Sequence, residues 1–512
     1  MLGTMRPATM AEALRALGRL GCRRLACRSS GPATHGIRCF SATALRPQNE
    51  RKWSTPLAKQ LFEAISTTGS VPLASYMRLC LTGDVGGYYS GAIGHGRDQF
   101  GAKGDFITSP EISQIFGELV GVWFIAEWIS QGRPKQGVQL IEVGPGRGTL
   151  MDDMLRTIQR FPAMANAVDS VFMVEASREL RETQKRLLCG PDALSAESKV
   201  GCHSTGKHLG KPIVWTETIK SIPIESDKVP FIVAHEFFDA LPIHTFQSAP
   251  APPPRAKSGT PSGAEKRATA ADAAHPSAME WREMMVSPMP PAAIDASPNA
   301  LSSDKDEPPT EFQLTLSSGT TRHSRYLPDS SPRYRKLKQT SGAVVEICPD
   351  ASLYAVDFAT RIGGSLKHTK ASPSGAALIL DYGTSDTVPI NSLRGIRHHR
   401  LVNPFSSPGL VDLSADVDFT AIAEAATLAS DGIEVHGPVP QADFLELMGI
   451  RQRAEMLTKS VDKGTAENID KAWKRLVDRG PNGMGKVYKA LAILPENDGR
   501  RRPVGFGGDV RG

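Results

Sequence analysis

Cysteine is scarce and badly spaced for chemistry. Seven occur in 512 residues (Cys22, Cys27, Cys39, Cys80, Cys189, Cys202 and Cys348), and no two form a Cys-x-x-Cys pair. This excludes a disulfide framework and a cysteine-built zinc site, and leaves Cys80, Cys189, Cys202 and Cys348 as small hydrophobes. Long apolar runs are missing too: no stretch of about 18 uncharged apolar residues is present, so no membrane-spanning helix is expected. No glycine period or heptad pattern suggests a collagen-like or coiled-coil chain. What remains, 40% hydrophobic and 22% charged residues, suits globular units with a sizeable core, two or three of them by length.

A basic body is also missing. The formal net charge is +6, yet residues 1–40 hold seven arginines, no lysine and a single acid, Glu12. That segment accounts for the whole excess, and a neutral remainder gives no reason to expect a nucleic-acid partner. The leader itself is rich in arginine, serine and alanine, as mitochondrial transit peptides are. Arg15, Arg19 and Arg23 stack along one face of a helix, with Leu14, Leu17 and Leu25 largely away from them. Arg38-Cys39-Phe40-Ser41 resembles a processing site, which places the mature start near Ser41 and the protein in the mitochondrial matrix.

Residues 41–135 read as helical. Thr108-Ser109-Pro110-Glu111 precedes Ile112, Ile115, Phe116, Leu119, Val120 and Trp123, with Ser109 placed to cap and Pro110 at the first helical position. The approach to it, Gly101–Phe106, is a glycine-containing loop, and Asp105–Ser113, a loop leading into a helix start, has the form of a lid for a ligand. From residue 136 strands and helices alternate. Apolar runs at Val138–Val143, Val171–Glu175, Ile213–Trp215, Phe231–Ala234 and Ala376–Leu380 predict a parallel, doubly wound sheet, and Val487–Leu494 a closing antiparallel strand. The order is broken over 248–342, where two Pro/Ala-rich stretches (248–278 and 288–310) read as disordered loops of an elaborated hairpin, Glu280–Val286 with Phe312–Leu316. Residues 343–495 complete the core, and 496–512 read as a disordered tail.

Chemistry gathers at strand ends. Leu140-Ile141-Glu142-Val143-Gly144-Pro145-Gly146-Arg147-Gly148 is a buried strand running into a glycine turn, where the missing side chains allow a sharp bend and close approach of a ligand. Its G-x-G-x-G spacing departs from the dinucleotide G-x-G-x-x-G, which disfavours a nicotinamide oxidoreductase. A tight structural turn is the plainer alternative. The next strand ends in Glu175, an acceptor-only carboxylate suited to vicinal ribose hydroxyls, or else a solvated strand end. Ala234-His235-Glu236-Phe237-Phe238-Asp239 then delivers two acids and two aromatics to the same sheet edge. Glu236 and Asp239 are candidates to hold a cation there; Phe237 and Phe238 read as core or as a wall, and His235 as a buried histidine. Arg394, Arg397, His398, His399 and Arg400 read as a solvated face or a dock for an acidic partner.

These segments carry a resemblance. Gly104–Ser113, Glu142–Leu150, Val174–Arg178, His235–Ile243, Val345–Pro349, Leu380–Gly383 and Pro408–Phe419 are similar, in order, to the mitochondrial complex I assembly-factor arginine methyltransferases and their MidA-like bacterial relatives. His235 matches the mitochondrial branch, where bacterial relatives commonly carry Asn; the Pro/Ala-rich stretches are the departure. The resemblance spans about residues 53–495. It implies an α/β class I fold, a Rossmann-like doubly wound sheet with an N-terminal helical region and a hairpin insertion, with S-adenosyl-L-methionine at Gly144, Gly146, Gly148 and Glu175. No metal is implied. The implied activity is symmetric dimethylation of an arginine on a core matrix-side subunit of NADH:ubiquinone oxidoreductase (complex I), in support of that complex's assembly; Glu236 and Asp239, read from the strand end, would be its catalytic acids. A non-catalytic assembly chaperone that binds the same cofactor is the alternative.

Overall fold

The computed structural model describes residues 52–91, 99, 101, 104–251, 278–290 and 310–507. The proposed transit peptide (1–40) and most of the two Pro/Ala-rich stretches lie outside these residues. Residues 53–507 belong to one compact unit. No helix among the described residues is long and apolar enough to cross a membrane.

Eight strands form the body of the main sheet. They are β1 (Val138–Val143), β2 (Val168–Val174), β3 (Cys202–Thr205), β4 (Pro212–Thr216), β5 (Val229–His235), β6 (Ala376–Thr384), β7 (Ile433–Pro440) and β8 (Tyr488–Pro495). Their spatial order is β7-β8-β6-β5-β1-β2-β4-β3. The five central strands β4, β2, β1, β5 and β6 run parallel. β8 is antiparallel to both neighbours, slotted between β6 and β7. β1 and β5 are buried along their whole length, which is why they read as unbroken apolar runs rather than alternating ones.

Alternation along these strands feeds two core layers. Leu140, Phe231, Val233 and Leu378 pack on one face with Trp123, Met151 and Trp215. Ile141, Val143, Ile232 and Ile379 pack on the other with Phe358 and Phe419. Helices therefore cover both faces, as a parallel sheet requires.

A smaller antiparallel sheet holds the hairpin. Met279–Pro288 pairs with Phe312–Leu316, as expected, and also with His244–Pro250, which in turn pairs with Val344–Ile347. The helices Pro56–Thr68 and Leu73–Thr82 pack on it through Leu57, Leu61, Tyr76 and Phe312.

Three expectations need correction. The helix expected from Ser109 is capped one residue earlier, by Thr108 in a capping box with Glu111, and it breaks at Ser113, whose hydroxyl caps a second helix, Gln114–Ser130. The tail is not free through 496–507: Phe506 packs against Trp123 and Phe444, and Trp123 Nε1 donates to the Val504 carbonyl at 3.0 Å. An aromatic amid glycines and arginines gives no periodicity, so its burial was invisible locally. The basic cluster, finally, is solvated only in part: His398, His399 and Arg400 are exposed, whereas Arg394 is half-buried. It sits in a strand, pairs with Asp416 at 2.6 Å and lies 4.5 Å over the Tyr382 ring, while the His398 and His399 amides bind Asp105.

Candidate active site

The carboxyl ends of β1, β2 and β5 open into one cavity of about 330 Å³. Gly144, Gly146, Glu142, Glu175 and Glu236 all line it. The glycine turn is built on backbone that other residues adopt poorly: φ is 67° at Gly144, 51° at Gly146 and 86° at Gly148. Gly148 does not line the cavity. It forms the left-handed entry to the helix Thr149–Ile158 and packs on Gln184.

Gln184, fully buried, ties the turn to its neighbours. Its amide donates to the Gly146 carbonyl at 2.7 Å and to Glu175 at 3.4 Å, and it accepts from Trp215 Nε1 at 3.0 Å. Glu175 also accepts from the Ser177 amide at 2.8 Å. Burial nevertheless lifts its carboxyl to about 7. Glu142 beside it is raised well above the usual carboxylate range, by burial first and by the charge of Glu175 second. Glu142 Oε2 is buried with no hydrogen-bond partner among the described residues. An unsatisfied carboxyl oxygen in a lined cavity is costly unless a ligand completes it. Ribose hydroxyls match that need, so the residues present fit a nucleoside donor.

Glu236 stands across the cavity. It takes the first position after β5 with φ of 48°, a left-handed conformation that a glutamate adopts only under constraint. The Ser109 amide donates to its Oε1 at 3.3 Å, and His235 Nε2 lies 3.1 Å from the same oxygen. Asp239 does not share the cavity: it is buried beneath, bonded by the Tyr382 hydroxyl, and burial raises its carboxyl to about 6. Spacing along a strand end cannot show this, because the left-handed residue at Glu236 turns the chain and Asp239 ends against Tyr382. Phe238 is core, while Phe237 lines the cavity. Asp412, bonded by Tyr89 at 3.0 Å and lifted to about 8 by burial and by the charge of Asp239, deepens this acidic floor. The loop Asp105–Ser113 borders the same space through Phe106, Thr108, Pro110 and Glu111.

The residues missed by sequence reading are Glu142, Asp381, Asp412 and Tyr89. An acid inside an otherwise apolar strand, as at Glu142 and Asp381, was the available signal. Among the described residues one group has metal-ligand composition, His244, Glu283 and His323, and it lies away from the cavity. His244 Nδ1 and Glu283 Oε1 are 2.8 Å apart, hydrogen-bond spacing, whereas two ligands of tetrahedral zinc stand roughly 3.3 Å apart. Thr321 occupies the other carboxylate oxygen.

A parallel sheet with its antiparallel strand slotted next to last, and a glycine turn facing carboxylates at the switch in strand order, define a class I S-adenosyl-L-methionine-dependent methyltransferase. A family model described as "Putative S-adenosyl-L-methionine-dependent methyltransferase" matches residues 119–439. Among curated proteins, "Protein arginine methyltransferase NDUFAF7, mitochondrial" is 34% identical in rat, covering 92% of each chain. The human protein of that name is 34% identical over 86% of this chain and 84% of its own, and the Drosophila homolog 32% over 86% and 85%. A COG1565 superfamily member from Burkholderia thailandensis, solved with bound S-adenosyl-homocysteine, shares the fold. Its TM-score is 0.58 at 22% identity, over 86% of this chain and 91% of that one. The chain belongs to the methyltransferase family typified by mitochondrial NDUFAF7, and its methyl donor is S-adenosyl-L-methionine.

Proposed function

We propose that the protein is an arginine methyltransferase of the mitochondrial matrix, with Glu236 as the residue that holds the target guanidinium. In this reading it symmetrically dimethylates an arginine on a core matrix-side subunit of complex I and so supports assembly of that complex. The names of its relatives and the leader composition support substrate class and compartment. The observation that carries the site assignment is Glu236, forced into left-handed backbone and facing the same cavity as the glycine turn.

The charge problem explains the acid. The donor supplies a methyl on a sulfonium, so a guanidinium beside it adds a second cation. At about 4 Å and an effective dielectric of 20, their repulsion is roughly 4 kcal/mol. Removing the arginine proton beforehand, from a pKa near 13.8 to a matrix pH of about 8, costs roughly 8 kcal/mol. Glu236 offsets the first cost by charge and orients the planar fork by hydrogen bonds. The donor, when bound, would supply the methyl and leave as a neutral thioether, while Glu236 would hold the guanidinium nitrogen in line and let its proton pass late to water. Asp239, lifted only to about 6, keeps negative charge close at matrix pH without touching the substrate, and Asp412, lifted to about 8, adds less. Phe237 walls the space.

Incubating the full chain with methyl-labelled S-adenosyl-L-methionine and separately purified matrix-side core subunits tests this. Label on one arginine of one subunit, found as symmetric dimethylarginine by mass spectrometry, is the expected result. Donor binding with no transfer would favour the chaperone alternative.

A further inference from the structure

We propose that Asp381 is a positioning residue for methyl transfer, holding Glu236 in its working conformation; this rests on the assignment of Glu236 above. Asp381 lies on β6 and is fully buried. Its Oδ2 accepts three successive amides of the turn that follows Glu236: Phe237 at 3.1 Å, Phe238 at 2.8 Å and Asp239 at 3.3 Å. Its Oδ1 accepts the Tyr382 amide at 2.8 Å. The preceding carbonyl, Leu380, accepts the Glu236 amide at 2.9 Å. Every amide from 236 to 239 thus ends on residues 380–381, one strand over.

Successive amides converging on a single carboxyl oxygen form a nest, which fixes the local turn. The turn in question imposes φ of 48° on Glu236, a conformation costly to a side-chain-bearing residue. Without the nest, residue 236 is free to relax toward ordinary backbone and swing its carboxylate out of line with the donor. The glycine turn is held by β1 and Gln184 and meets this turn through the Phe237 ring against Gly144, so Asp381 acts on donor binding far less directly than on Glu236. Tyr382, the next residue, donates to Asp239, so one strand end organises both acids. Asp381 touches neither ligand in this account; it acts through Glu236.

The test compares wild type, D381N, E236Q and the double variant. Asparagine keeps the size but offers only one acceptor oxygen to a nest and an amide that occupy both. For D381N we expect donor affinity within about twofold of wild type by calorimetry and a kcat at least roughly tenfold lower. In the E236Q background the same change should cost almost nothing, because it acts through the residue already disabled. Equal losses in both backgrounds would overturn the proposal. A wild-type chain that methylates none of the subunits overturns the functional reading instead, and the positioning claim is then read structurally. A crystal structure of D381N should show residue 236 out of the left-handed region, and an unchanged turn would overturn it. If D381N does not fold, hydrogen exchange on wild type decides: the amides of Phe237, Phe238 and Asp239, outside any strand ladder, should be as protected as those of β5. Fast, loop-like exchange there would contradict the nest.

Discussion

A Cβ built on Gly144 would stand 2.5 Å from Cδ2 of Phe237. The glycine turn after β1 and the aromatic after Glu236 therefore fit each other only because position 144 has no side chain. Donor turn and substrate wall touch at this point, and Gly144 also needs its φ of 67°. Gly144→Ala should cost about 1–3 kcal/mol of stability, from backbone strain and the displaced ring, and weaken donor binding at least tenfold. Thermal unfolding with and without S-adenosyl-homocysteine reads both effects. A variant with unchanged melting temperature and unchanged ligand shift would refute the fit.

Donor affinity should rise with pH. Glu175 is held protonated up to about 7 by burial, and the ionised form is the better acceptor for ribose hydroxyls. Binding then releases a proton, so affinity increases up to about tenfold per unit as pH climbs toward 7 and levels off above it. The stability of the ligand-free protein should follow the opposite trend and fall as pH rises. A carboxyl raised by folding contributes stability below its unfolded value, near 4.3, and loses it as pH rises through the folded value. Asp153, lifted to about 7, and Asp412, to about 8, add in the same sense. Calorimetry between pH 5.5 and 8.5 checks this, and Glu175→Gln should flatten the affinity profile.

The end of the chain should contribute to stability. Phe506 fills a space between Trp123 and Phe444, so Phe506→Ala should cost about 2–3 kcal/mol. Truncation after residue 495 should cost at least as much, since it also removes the partner of Trp123 Nε1. Chemical denaturation of the two variants measures it.

Much of this architecture is legible in the sequence, for identifiable reasons. β1, β5 and β6 are buried on both faces, so each is a solid apolar run, and their carboxyl ends announce themselves by glycine or acid. The pairing of His244–Pro250 with Val344–Ile347 is not legible, because about a hundred residues separate the partners and local periodicity carries no long-range register. Gly144, Gly146, Glu175 and Glu236 were found from strand-end logic and do share a cavity. Asp239 reads as a partner of Glu236 from proximity in sequence, yet it is buried against Tyr382 and does not line the cavity. Glu142 and Asp381 were passed over since an acid mid-strand looks like part of the strand until its neighbours are known.

The central claim is that Glu236 holds the target cation while the glycine turn and Glu175 hold the donor. Measuring donor affinity and methyl-transfer rate side by side for wild type and Glu236→Gln tests it most directly. The account predicts donor affinity within about threefold of wild type and transfer reduced roughly a hundredfold, the scale of one charge-assisted pair in the transition state. Transfer at the wild-type rate, with donor affinity intact, would contradict it.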